Sequence, residues 1–182
     1  MTVEMAEYHR AMLQVGLGDQ FYKAFDKMLE EEDPLSELTL LLCDCISDVN
    51  AVLHILGEYT LAKTVDEQAV RDLILNDIRI RFEAGQMSRR DVIATLYDIA
   101  CGMNKLWEDP WLYFYMMSKV TDLYEEGFIS EEVFHKDFDI WWSAEERDVS
   151  KISAQWLEQN HPPKKKNFFS RIRMIFKNPW NN

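Results

Sequence analysis

The chain has 182 residues, 47% hydrophobic and 13% aromatic, with 20 Lys and Arg against 32 Asp and Glu for a formal net charge of −12. That much apolar material excludes a disordered chain, and the length suffices for an ordinary hydrophobic core that needs neither disulfide nor metal staples. Six Gly and five Pro are too few for a many-stranded protein, so the expected class is all-α, a single domain of about seven helices built from antiparallel hairpins.

The charge is unevenly placed. Residues 161–182 hold six Lys and Arg and no Asp or Glu, which leaves residues 1–160 with 14 basic against 32 acidic side chains, a net of −18. This divides the chain into an acidic helical domain, 1–160, and a basic amphipathic tail, 161–182. An acidic body repels phosphate backbones, which argues against direct nucleic-acid binding by residues 1–160. The three cysteines are odd in number and follow no basic-then-apolar leader. The most apolar stretch, Leu38 to Leu56, is interrupted by Asp44, Asp48, Asn50 and His54, short of the roughly 20 apolar residues of a membrane span. The expected location is the cytoplasm, with the tail able to bring the chain to the inner membrane face.

In chain order, residues 2–33 read as one broken or two consecutive helices, parted at Gly16 and Gly18. The second piece ends in Glu30, Glu31, Glu32 and Asp33, acids that oppose the helix macrodipole by about 0.3–1 kcal/mol. They form a solvated face or a surface kept acidic for a basic partner. Leu38, Leu41, Leu42, Cys45, Val49, Val52, Leu53 and Leu56 recur at helical spacing and predict one long helix over 35–57, the most buried of the domain. A helix over 65–84 puts Val70, Leu73, Ile74 and Ile78 on one stripe, with Asp77 and Arg81 one turn apart inside it; if the stripe is buried they must pair.

Gly85 closes that helix, and Ser88 caps the next, to about Gly102, with Val92, Leu96, Ile99 and either Cys101 or Met103 inward. Asp109 and Pro110 are expected as N-cap and first residue of a helix to about Glu126. Gly127 ends it, Ser130 caps a helix to about Trp142, and Ser143 with Glu146 forms a capping box for a last body helix to about Gln159. The segments Phe82–Ser88 and Tyr124–Ser130 match at an offset of 42 residues, either an αα-hairpin repeat or the common way of joining two antiparallel helices.

Chemistry-bearing patterns are sparse. Of the four histidines only His135 stands in a Glu-x-x-His, with Glu132, and Phe134, Phe138 and Trp141 take the inward stripe of that helix. Cys43 and Cys45 would lie about 200° apart around one helix and could not share an ion. No nucleophile elbow, phosphate-cradling glycine loop or dinucleotide fingerprint occurs, so no catalytic residue, metal or cofactor is expected. The stretch Trp111 to Met117 is apolar on every side of its helix: it is central to the core, or it shows an aromatic face to a partner. The expected partner-binding residues are therefore Glu30, Glu31, Glu32 and Asp33 together with Glu108, Asp109, Trp111, Tyr115, Glu125 and Glu126. The expected partner is a protein, a basic one.

Segment 82–142 carries the Gly85-x-x-Ser88 turn, the run Leu96-Tyr97-Asp98-Ile99-Ala100, the Asp109-Pro110-Trp111 restart and the Tyr124-Glu-Glu-Gly-Phe-Ile-Ser130 turn. In these it resembles the small helical immunity proteins encoded beside bacterial contact-dependent and polymorphic toxins. The resemblance covers about a third of the chain. It implies a cytoplasmic, non-enzymatic protein that binds and neutralises one cognate toxin domain, acidic where the toxin is a basic nuclease. The alternative is a peripheral membrane adaptor anchored by the tail.

In that tail Lys164, Lys165 and Lys166 precede Phe168, Phe169, Ile172, Ile175 and Phe176 at helical spacing, with Arg171, Arg173 and Lys177 elsewhere around the wheel, the pattern of a short basic amphipathic helix. It makes a weak membrane-surface contact through 164–177, or it folds onto the acidic body. Truncation after His161 separates the two. On the membrane reading, sedimentation with anionic liposomes is lost and the melting temperature stays. On the docking reading, liposome binding is weak from the start and the melting temperature falls, because each buried Phe or Ile is worth roughly 1.5–3 kcal/mol.

Overall fold

The computed structural model describes residues 1–143 together with 149, 151, 152 and 154. Among these the chain forms eight helices and no strand: α1 (Val3–Gln14), α2 (Asp19–Glu31), α3 (Glu37–Cys43), α4 (Val49–Leu61), α5 (Glu67–Glu83), α6 (Arg89–Gly102), α7 (Leu112–Glu125) and α8 (Glu131–Ser143). The all-α class is as expected. Most of the last body helix, Glu146 of its capping box, the 160/161 boundary and the basic tail lie outside the described residues. The chain falls into two compact units, Met1–Lys119 and Val120–Asn182.

Helix starts follow their capping residues. Thr2 caps α1, Ser36 caps α3, Asp48 and Asp66 each accept two N–H groups at the starts of α4 and α5, and Ser88 forms a capping box with Asp91 at α6. Gly85 and Gly127 close α5 and α7 with φ of +71° and +74°, a conformation only glycine adopts cheaply. The following amides reach back to Arg81 and Leu123, the Schellman arrangement at both ends. α1 ends the same way, with Leu17 N–H on Met12 O. Three uses of one closure in unrelated places make the 42-residue match a matter of helix punctuation.

Two expectations are corrected. The helix over 35–57 is broken into α3 and α4 by turns over 44–48, where Asp48 takes the N–H groups of a new helix. Each half is phased separately. Leu38, Thr39 and Leu42 turn inward from α3, and Val52, Leu56 and Thr60 from α4, so that Leu41 and Val49, counted into the continuous stripe, are exposed. Cys45 lies in the intervening turn, packed against the core cluster. The second correction concerns α7, which begins at Leu112, with Asp109 and Pro110 in the turn before it.

The centre of the first unit is α1, which packs against α2, α4, α5 and α6. Ala6 and Leu13 of α1 join Phe21 and Phe25 of α2, Leu38 and Leu42 of α3, and Val52 and Leu56 of α4 in one core cluster. A helix covered on several sides must bury its polar residues too. Glu7 accepts two hydrogen bonds from Arg10, at 2.9 and 2.6 Å, and one from the Thr60 hydroxyl at 3.0 Å. Burial pushes the Glu7 carboxyl up, but the bonds and charge of Arg10 and the bond from Thr60 outweigh it and hold it below the usual range. The pairing of Asp77 with Arg81 is present at 3.1 Å, and Arg81 also meets Asp19 of α2. Asp77 also acts on Tyr8 of α1, and burial together with the charge of that carboxylate raises its phenol.

His9 is the exception. It is 1% exposed, lies 5.6 Å edge-on to Phe21, and neither ring nitrogen has a hydrogen-bond partner. Burial lowers its pKa to about 4 from an ordinary 6.5. The folded state thus holds His9 neutral while the unfolded chain takes up a proton below about pH 6.5, so stability is complete above that pH and declines as pH falls toward 4. At about 1.4 kcal/mol per pH unit the loss approaches about 3 kcal/mol. Denaturant titrations from pH 7 to 4.5 should show this decline, and His9→Leu should flatten it; an unchanged slope in the variant would assign the decline elsewhere.

Candidate protein-binding surface

The link between α6 and α7 is built around Glu67 at the start of α5. Asn104 takes the left-handed conformation with φ of +56°, and turns carry the chain from there to α7. The Lys105 ammonium pairs with Glu67 Oε1, and the Trp111 indole Nε1 donates to Glu67 Oε2 at 2.8 Å. One carboxylate therefore fixes both ends of the link. Between them Trp107 projects, 53% exposed, with its ring 4.3 Å from Tyr115. Tyr115 lies 6.4 Å from Tyr97 and carries the Lys119 ammonium over its face at 4.6 Å. Asp98, Glu108 and Asp109, neighbours of these rings in the chain, are exposed.

Of the residues expected to bind a partner, the structure gathers Glu108, Asp109 and Tyr115 around this link. Trp111 is corrected. It is 0% exposed and stands edge-on to Phe114 at 5.7 Å, with Tyr113, Met116 and Met117 buried beyond it. Five of the seven residues of the apolar stretch are core, Leu112 and Tyr115 being half-buried, and Trp111 shapes the surface only by anchoring the link. The exposed indole is Trp107, which periodicity could not find because it sits in a turn; a Trp between Asn104 and the acids Glu108 and Asp109, outside any amphipathic stripe, was its only signal.

Glu30, Glu31 and Asp33 are exposed at the α2–α3 corner, with Glu31 3.7 Å from Lys27. Glu32 is held apart from that role. It accepts the Ser36 N–H at 3.0 Å and the Thr39 hydroxyl at 2.6 Å, and these bonds hold its carboxyl below the usual range. Glu125 and Glu126 are exposed where α7 ends, in the second unit. In that unit Phe134 and Phe138 of α8 are buried, with Phe134 5.1 Å from Tyr124 and Phe138 stacked on Trp142. Glu132 is exposed and pairs with Lys136 at 3.3 Å, and His135 is half-buried.

A cavity of about 520 Å³ opens beside the link, lined among others by Glu7, Arg10, Thr60, Glu67, Met103 and Lys105. In its wall Glu7 pairs with Arg10 and Glu67 with Lys105, and Arg10 also reaches Met103 Sδ at 3.4 Å. The Thr60 hydroxyl in this wall donates to Glu7, whose carboxyl Arg10 also holds by two hydrogen bonds. The cavity wall ties α1, α4 and α5 together. Among the described residues no group of three or more His, Cys, Asp or Glu is placed to hold a metal ion, and no helix is long and apolar enough to cross a membrane.

No family model, no curated protein and no solved structure matches the chain. The two tryptophans of the link should separate by stability. Trp111→Ala removes a fully buried indole and leaves Glu67 without its bond, at about 3–5 kcal/mol, whereas Trp107→Ala stays within about 1 kcal/mol of the parent in urea unfolding. Equal losses would place both side chains in the core.

Proposed function

We propose that the chain is a non-enzymatic protein-binding module that neutralises a basic bacterial toxin domain in the cytoplasm. The observation that carries this is the exposed Trp107, 53% accessible and seated against Tyr115, with exposed Glu108 and Asp109 beside it in a chain of net charge −12. Trp and Tyr are the side chains that concentrate binding energy at interfaces, because a rigid ring excludes much water for little lost conformational freedom. Surrounding acids steer a cationic partner and disfavour anionic ones. Support also comes from where the resemblance lies: Tyr97, Trp107 and Tyr115 all fall within segment 82–142.

Internal pairing strengthens the electrostatic side. Arg10, Arg81 and Lys105 are engaged with Glu7, Asp77, Asp19 and Glu67, so the acids left exposed at the surface lack these cations as neighbours. An aromatic anchor amid unneutralised acids suits capture of a basic surface, and neutralisation then requires only that the partner's own site be covered.

The test is co-expression with the toxin domain encoded immediately upstream of the gene, read by growth, followed by association kinetics on the purified pair. Trp107→Ala should raise the dissociation rate at least about tenfold, the equivalent of 1.4 kcal/mol. Glu30→Lys, Glu31→Lys and Glu108→Lys together should slow association and flatten its salt dependence without lowering the melting temperature, Glu32 being left intact because it holds the α2–α3 corner. Absence of growth rescue, or association indifferent to salt, would overturn the proposal.

A further inference from the structure

A second surface, at the α2–α4 corner, has a different composition. α3 is apolar on both sides: Leu38, Thr39 and Leu42 are buried, while Leu40 and Leu41 are 52% and 48% exposed. Leu29 near the end of α2 and Val49 at the start of α4 are exposed as well. Single exposed leucines are ordinary, but two adjacent on a seven-residue helix, with two more large apolar side chains in the flanking elements, are a surface that water covers at a cost. The corner is also pre-formed, because Glu32 binds Ser36 and Thr39, and the Ser36 hydroxyl accepts the Thr39 N–H. A partner finding α3 in place has no ordering cost to meet.

Charge decides what covers it. Residues 26–48 contain eight acids and one cation, Lys27. Glu37 and Asp44 stand at the ends of α3 and Asp48 at the start of α4, all three exposed. A second copy of this chain would set acid against acid, an anionic lipid surface would be repelled, and nucleic acid likewise. An apolar stripe flanked by cations fits both halves of the surface at once. We infer that the outer face of α3 is a docking site for a cationic amphipathic helix of a partner protein, with Leu40 and Leu41 meeting its apolar stripe and Glu37 and Asp44 its Lys or Arg side chains. This assignment is independent of Trp107 and shares with the toxin proposal only the acids of the α2–α3 corner.

The test uses the full chain and a labelled Leu/Lys amphipathic peptide of about five helical turns, followed by fluorescence anisotropy. Binding is expected to weaken at least about tenfold in Leu40→Gln/Leu41→Gln, to lose salt dependence in Glu37→Gln/Asp44→Asn, and to be unchanged in Trp107→Ala and in Ile80→Gln, which alters an exposed apolar residue of α5. Far-UV circular dichroism and melting temperature establish that the variants fold; Leu40→Met/Leu41→Met, which retains apolar bulk, should restore binding if the Gln pair is unstable. Equal binding by the parent and the Leu pair, equal weakening by Ile80→Gln, binding of a Leu/Glu peptide, a homodimer that the Leu pair dissolves, or tighter peptide binding once the chain is truncated after His161, which would assign the face to the chain's own basic tail, would each overturn the proposal. Failure of toxin rescue with peptide binding intact would count against the proposed function alone.

Discussion

The first unit depends on what burial of α1 demands of Glu7. A helix contacted by α2, α4, α5 and α6 cannot turn its polar residues to water, and an unpaired buried carboxylate would cost several kcal/mol. Arg10, one turn along the same helix, supplies two hydrogen bonds, and Thr60 of α4 supplies a third from across the interface. The satisfaction of Glu7 is therefore also a joint between α1 and α4. Arg81 plays the corresponding part on α5, where it meets Asp77 of its own helix and Asp19 of α2. The apolar cluster is non-directional, whereas these polar bonds set which residues face one another, as hydrogen-bond geometry requires.

The same economy governs the surface. Cations near the interior are committed to particular acids, so the acid excess is expressed outside, where solvent and salt make it tolerable and a cationic partner can reach it. Glu67 shows how an interior joint positions an exterior feature. By holding both Lys105 and Trp111 it fixes a link that has no regular structure of its own, and the link in turn presents Trp107. Loops carried by a rigid scaffold are the usual place for recognition residues, since their backbone is free of helix packing while their ends are not.

The two surfaces, Trp107 with its tyrosines and the outer face of α3, differ in what they ask of a partner. The first offers rings with an acidic surround and suits any projecting cationic or amphipathic group. The second is a short helical ridge with leucines at its crest, which suits an extended complementary stripe. Trp107, its tyrosines and α3 all lie in the first unit, and each surface is positioned by a carboxylate, Glu67 for the first and Glu32 for the second.

The sequence by itself determined the helical class, the break at Gly16 and Gly18, the caps at Ser88 and Ser130, the closures at Gly85 and Gly127, the Asp77–Arg81 pairing and the inward stripe of α8, because each is set by residues within a turn or two of one another. Tertiary structure decided which helix is central. The apolar run from Leu38 to Leu56 outweighs α1 in hydrophobicity, yet Asp48 restarts the helix there, and α1 is the central helix, its Glu7 held by Arg10 of its own helix and by Thr60 of α4 and its His9 kept neutral by burial. The placement of the two tryptophans was likewise beyond the sequence. Trp111 is buried with its indole bonded to Glu67, 44 residues away in the chain, and Trp107 stands 53% exposed in the turns between the link's two ends. Periodicity reports a residue's direction from its own helix axis; only the packing of the other helices says whether that direction leads to the core or to water.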